Sequence, residues 1–199
     1  NGCGKSSVWK CLPRYYPHLQ GTIRIFDRDL SSFDQKELTS VIYYTPQSSF
    51  FIAGTVRENL MYGIDRDVSD AELADALYHV HLTGTGHGET VINENAKEAL
   101  DTFINEKSEA LSGGMKQRLS LARAFLRHPK LFVFDEITAN LDGSSRNYVL
   151  TNIESYAKSI GAGIIYISHD SCVVERCEKV VTLNNKLRKN TTDKSSEPE

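Results

Sequence analysis

Apolar residues along the chain follow two spacings. Short runs rich in β-branched and aromatic residues read as strands: "TIRIF" (22–26), "VIYYT" (41–45), "LFVFDE" (131–136), "GIIYISHD" (163–170) and "VVTL" (180–183). Between them, apolar positions recur every three or four residues. "SDAELADALYHVHL" (69–82) predicts a helix, with Ser69 and Glu72 as a capping box and Leu73, Leu77 and Val80 on one face. "SGGMKQRLSLARAFLRHP" (112–129) opens on a small-residue turn, turns Met115, Leu119, Ala122 and Leu126 inward, and stops at Pro129. "SSRNYVLTNIESYAKSIG" (144–161) places Val149, Ile153, Tyr156 and Ile160 on its buried side and ends on Gly161. Ser6 to about Leu12 reads as a further helix start, "FDRD" (26–29) as a turn, and the polar, glycine-rich 83–98 as a loop or insertion. From about Lys186 the chain is too poor in apolar residues to fold and is expected to be disordered. Strands alternating with helices predict an α/β fold, with a mostly parallel central sheet flanked by helices on both faces. The helical stretch of about 48–128 is expected as an inserted subdomain. One domain over 1–185 and a polar tail over 186–199 complete the expected organisation.

Composition narrows this reading. A chain of 199 residues, 40% hydrophobic, can build one sizeable core, and a second domain is not expected. The net charge is −3 and Lys and Arg are scattered, so no nucleic-acid partner is expected. Cys3, Cys11, Cys172 and Cys177 fit neither a dense disulfide framework nor paired zinc-ligand spacing, and read as reduced thiols of a cytosolic domain. His79, His81 and His87 read as solvated surface side chains rather than metal ligands.

Three stretches carry chemistry. "NGCGKSS" (1–7) supplies the last positions of the pattern G-x-x-x-x-G-K-[ST]. Gly2 and Gly4 let backbone amides surround a phosphate, Lys5 would reach the β- and γ-phosphates, and Ser6 would place a hydroxyl on Mg2+. Taken alone, the heptad leaves open a flexible Gly/Ser segment without a ligand. "LFVFDE" ends a buried strand in two acids: Asp135 could hold Mg2+ and Glu136 could polarise a water attacking the γ-phosphate. The bland alternative is a pair of surface acids at a strand end. "LSGGMKQR" (111–118) puts a serine and two glycines at a helix start, a second anion site of the same physical kind. One nucleotide hardly needs two such sites in one chain, which points to two chains, each facing this turn onto the other's ATP.

With these three in this order, the chain resembles the nucleotide-binding domain of ATP-binding-cassette (ABC) transporters, from Asn1 to about Leu183. The resemblance implies a P-loop NTPase fold and a Mg-dependent ATPase with ATP and Mg2+ as cofactors. Asn1, Gly2, Cys3, Gly4, Lys5, Ser6 and Ser7 correspond to the P-loop. Gln47 in "TPQSS" corresponds to the glutamine that touches Mg2+ and signals to the membrane domain. Ser112, Gly113 and Gly114 correspond to the signature contacting the partner's γ-phosphate. Asp135 and Glu136 correspond to the Walker B pair, Asp142 in "ANLD" to the loop near the dimer seam, and His169 in "ISHD" to the switch histidine. Implied metal contacts are Ser6, Gln47 and Asp135, and implied catalytic residues are Glu136, His169 and Gln47. The implied partners are a second nucleotide-binding domain, head to tail, and transmembrane domains of the same or a partner chain, with this domain on the cytosolic side.

"FFIAGTVRENLMYG" (50–63) and "LDTFINEKSEALSGG" (100–114) resemble exporters, with Glu106 as the acidic contact to coupling helices. The resemblance therefore implies export driven by ATP hydrolysis. A soluble cassette ATPase acting on nucleic acid or the ribosome is the alternative, and the Asp135–Glu136 pair argues against a non-hydrolysing regulator. Met115 stands where glutamine is commoner, and Pro13 falls where the helix after the P-loop would continue. The P-loop's first glycine would lie two residues before Asn1. The chain is thus expected to be the C-terminal part of a longer polypeptide, poorly soluble and without ATPase activity by itself.

Overall fold

Three parallel strands carry the architecture: β3 (Ile42–Thr45), β6 (Leu131–Asp135) and β7 (Gly163–Ile167), in the order β3-β6-β7. Thr45 pairs with Phe134, and Asp135 with Ile167, so all three carboxyl ends reach one edge. The computed structural model describes residues 10–12, 14, 21–48, 50–84, 91–105, 109 and 111–182. Around the sheet lie a hairpin of β1 (Arg24–Ile25) and β2 (Arg28–Asp29) and a short antiparallel pair, β4 (Gly54–Thr55) with β5 (Phe103–Ile104). The helices are α1 (Gln35–Val41), α2 (Val56–Met61), α3 (Asp70–Tyr78), α4 (Ala96–Asp101), α5 (Gly113–Phe125), α6 (Gly143–Ser159) and α7 (Ser171–Val174).

Strand side chains alternate between faces, so the sheet builds two cores. Ile42, Val133 and Ile167, with half-buried Tyr44, Leu131 and Ile165, pack on Leu12, Ile25, Leu30, Phe33 and Leu38. On the opposite face Phe132 and Phe134 stack at 5.6 Å and meet Tyr43, Ile164 and Tyr166 and the helices. β6 is covered on both sides, which is why "LFVF" is continuously apolar instead of alternating.

The helix starts follow local chemistry. Ser69 and Glu72 form the expected capping box, and Thr55 and Glu58 form a second one at α2. Leu73, Leu77 and Val80 are all buried. Gly161 ends α6 at φ +68°, a conformation that favours glycine. In α5 the expected stripe of Met115, Leu119, Ala122 and Leu126 is buried, but so are Gln117, Arg118 and Ser120. The helix is packed from several sides, by α2, α3 and β3.

Several sequence expectations need correction. Lys10–Leu12 form a turn, not helix, and the Arg14 amide donates to the Cys11 carbonyl. The residue before a proline disfavours helical backbone, and Leu12 precedes Pro13. "FDRD" splits: Phe26 and Asp27, at φ 48° and 63°, make the turn, and Arg28–Asp29 belong to β2. Val180–Thr182 form no strand; Val180 and Val181 are exposed, and a β-prone run becomes a strand only by pairing. His81 is buried, not solvated, at φ 54° with its ring stacked on Tyr148 and its carbonyl accepting from Arg118. The polar tail from Lys186, the segment 85–90 with His87, Glu106 and Leu183 lie outside the described residues. Among the described residues, no helix is long and apolar enough to cross a membrane.

Candidate functional site

The carboxyl edge of a parallel sheet is where open α/β folds bind ligands. Here it gathers four of the residues singled out in the sequence. Asp135 closes β6, Glu136 follows it, Gln47 lies two residues beyond β3, and His169 two beyond β7. Asp135 is 2% exposed, and the Tyr44 hydroxyl donates to its Oδ2 at 2.9 Å. Gln47 is exposed. Glu136 takes a left-handed backbone at φ 52°, and its amide donates to the Ile167 carbonyl at 2.9 Å. That geometry turns its side chain back over the sheet edge, where Oε1 lies 3.0 Å from His169 Nδ1. The Glu136 side chain is 13% exposed and that of His169 73%. A carboxylate only accepts, so Nδ1 carries the proton in this contact and Nε2 is left for a ligand.

Asp170 stabilises the loops under this pair. Its Oδ2 accepts from Thr138 Oγ1 at 3.0 Å and pairs with Arg146 at 3.1 Å, and its Oδ1 accepts from the Cys172 amide at 3.0 Å. It thus joins the turn after β6 to α6 and α7. Sequence reasoning passed over Asp170 and Tyr44. Asp170 could have been found as the cap of a short helix; nothing local marks Tyr44, whose partner lies 91 residues away.

Ser112 caps α5, its Oγ accepting from the Met115 amide at 3.1 Å. Gly114 is set by close approach: a Cβ there would lie 3.0 Å from the Asn140 carbonyl, and one on Gly113 3.9 Å from the Asn140 side chain. The serine–glycine turn therefore rests directly on the loop between Glu136 and Asp142. The far end of α5 is tied to the segment that follows Gln47. Arg123 donates to the carbonyls of Phe50 at 2.7 Å and Asn59 at 2.9 Å, and Arg127 to that of Tyr62 at 2.7 Å. Phe50, Tyr62 and Phe103 are exposed aromatic side chains, and the Phe50 and Tyr62 rings lie 6.1 Å apart.

Asp142 caps α6. Its carboxylate accepts from the Ser144 hydroxyl at 2.6 Å, the Ser145 amide at 3.1 Å, the Ser145 hydroxyl at 2.8 Å and the Ser144 amide at 3.0 Å. The Ser144 hydroxyl first, then the Ser145 amide and hydroxyl, hold this carboxyl far below the usual carboxylate range. A depressed folded-state pKa stabilises the fold above the unfolded value and loses that contribution as pH falls. Asp142→Ala should therefore cost about 1 kcal/mol at neutral pH, as lost caps do. In denaturant titrations at a series of pH values, the deficit against the parent should narrow below about pH 4, where the unfolded-state aspartate starts to protonate. A deficit constant from pH 7 to pH 2 would count against the cap's charge.

Asn1, Gly2, Cys3, Gly4, Lys5, Ser6 and Ser7 lie outside the described residues. Just beyond them, Leu12 is buried in the core of the sheet face on which strand alternation places Asp135. Among the described residues no cluster of three or more His, Cys, Asp or Glu side chains could hold a metal. A carboxylate and a carboxamide oxygen at one sheet edge nonetheless suit Mg2+, which takes hard oxygen ligands. It is usually bound through one or two protein groups, phosphates and water.

Comparison with known proteins points to one family. Residues 1–139 match the family described as ABC transporter. Over 180 residues the chain is 33% identical to a multidrug resistance ABC transporter ATP-binding and permease protein of Lactococcus lactis, covering 90% of this chain and 29% of that protein. It is 32% identical to the ATP-dependent permease MDL1 of Candida albicans, covering 92% of this chain and 26% of that one. For ABC transporter B family member 17 of Arabidopsis thaliana the identity is 32%, and the shares are 92% and 14%. Among solved structures, a bacterial Atm1-family ABC exporter with ATP bound is similar at a TM-score of 0.78 and 27% identity, over 93% of this chain and 31% of that one. The chain spans less than a third of the length of each of these proteins.

Proposed function

The chain belongs to the ABC transporter family, and we propose that it binds ATP with Mg2+ and hydrolyses it to drive export across a membrane. The observation that carries this reading is the meeting of Glu136 and His169 at 3.0 Å beside buried Asp135, at the ligand edge of the sheet. In this reading Asn1–Ser7 bind the phosphates. Asp135 and Gln47, with Ser6, hold Mg2+, which would neutralise phosphate charge. Glu136 takes a proton from the attacking water, and His169 orients Glu136 and offers Nε2 to the γ-phosphate. Ser112, Gly113 and Gly114 serve the ATP of a second, head-to-tail copy, with Asp142 close to the seam. We take 1–185 as the nucleotide-binding domain and about 48–128 as its helical part.

Export and a membrane-domain partner rest on the relatives, whose names describe permeases and exporters. Exposed Phe50 and Tyr62, in the segment anchored by Arg123 and Arg127 after Gln47, suit an apolar contact from such a domain. That contact would put this domain on the cytosolic side.

The shared site is tested in the full-length protein with two lesions, Lys5→Ala and Ser112→Arg. Each homodimer should lose phosphate release. A mixed dimer places both lesions in one site and leaves the other intact, so it should regain activity. Recovery in the mixed dimer would rule out a mechanism confined to one chain.

A further inference from the structure

We propose that Tyr44 is a positioning residue for Asp135, fixing the orientation of its carboxylate at the ligand edge. Tyr44 sits on β3 opposite Val133, one pleat before Asp135 on the same sheet face. From there its hydroxyl reaches diagonally across the ladder to Asp135 Oδ2 at 2.9 Å. The Asp135 side chain is buried, so a hydrogen bond from a fixed phenol restricts its rotation strongly. Tyr44 also lies three residues before Gln47, which follows the end of β3. A shift of the β3 end that moves Gln47 would therefore move the Asp135 carboxylate through Tyr44. The ring packs with Ile42, Val133 and Ile165 whether or not it carries the hydroxyl, so the hydroxyl can be removed with little effect on the core.

This inference rests on the reading that Asp135 holds the divalent cation, and the two are tested side by side. The readout is the affinity for Mn2+, followed by electron paramagnetic resonance in the presence of a non-hydrolysable ATP analogue. Tyr44→Phe should weaken Mn2+ binding about tenfold, the effect of one charge-assisted hydrogen bond in a partly hydrated site. Analogue affinity measured in chelator, without metal, should stay within about twofold, and so should Mn2+ affinity in Tyr43→Phe, whose ring lies on the opposite face. A merely structural role for Tyr44 would move the melting temperature and the metal-free affinity together with the Mn2+ value. Tyr44→Leu, which also lacks the hydroxyl, should reproduce the Mn2+ loss if the phenylalanine variant does not accumulate. If Asp135→Asn weakens Mn2+ and the Tyr44 variants do not, the positioning role is overturned and the metal reading stands. If Asp135→Asn itself leaves Mn2+ affinity unchanged, the metal reading fails with it.

Discussion

In the full-length protein, Glu136→Gln should retain Mg-ATP binding and lower phosphate release by about 10²–10⁴-fold, the range of a general base's contribution. Glutamine keeps the shape of the side chain and can still meet His169 Nδ1 through its carbonyl oxygen, at the site of the present 3.0 Å contact. What it loses is the ability to accept a proton from water. The left-handed backbone at φ 52° costs a glutamine about what it costs a glutamate, so the fold is not the variable. Equilibrium binding of a fluorescent ATP analogue and single-turnover phosphate release separate the two quantities. Turnover within about threefold of the parent would be incompatible with a general-base role for Glu136.

The second large effect concerns the partner of that carboxylate. His169→Ala should lower the single-turnover rate about 10²-fold, the scale expected when a catalytic group is displaced by about 1 Å. The histidine is mostly exposed and the carboxylate mostly buried, so the loss falls on orientation at the site and not on core packing. Because the two side chains share one hydrogen bond, their effects should not multiply. The double variant Glu136→Gln, His169→Ala is expected within about threefold of the slower single variant. Independent effects would instead multiply the two losses, and that outcome in the same rate measurement would separate the residues mechanistically.

The sequence showed most clearly what is decided within a few residues. The Ser69–Glu72 box, the glycine end of α6 at Gly161 and the buried run of β6 all depend on neighbours in the chain. Helix α1 was missed although Asp34 and Glu37 stand in cap spacing, because only Leu38 in its span is buried and seven residues make no stripe. The β4–β5 pair joins two-residue strands nearly fifty positions apart, a length at which local propensity carries no signal. Val180–Thr182 show the opposite error, strong propensity with no strand partner among the described residues. His81 was read as solvated because polarity was judged by residue type, whereas its place is set by the turn after α3 and by Tyr148 on α6.

For the site, Gln47 and His169 came only from the family resemblance, whereas motif spacing reached Asp135 and Glu136 at the end of a buried strand. It did not reach Tyr44, Asn140 or Asp170. Each acts through a contact across the fold: a phenol on a carboxylate, a carbonyl against a glycine, a carboxylate joining three segments.

Glu136 has a wider consequence. A non-glycine residue in the left-handed region costs roughly 1–2 kcal/mol, and glycine would sit there without that penalty. On backbone conformation alone, glycine or asparagine would suit this position better, and neither carries a carboxylate. A glutamate is the outcome that backbone conformation disfavours, and the proposed general-base role is a reason for chemistry to retain it. In a descendant that had lost the need to turn over ATP, position 136 is where that release would be expected to register first, while Asp135, enclosed in the core and bound to Tyr44, would outlast it.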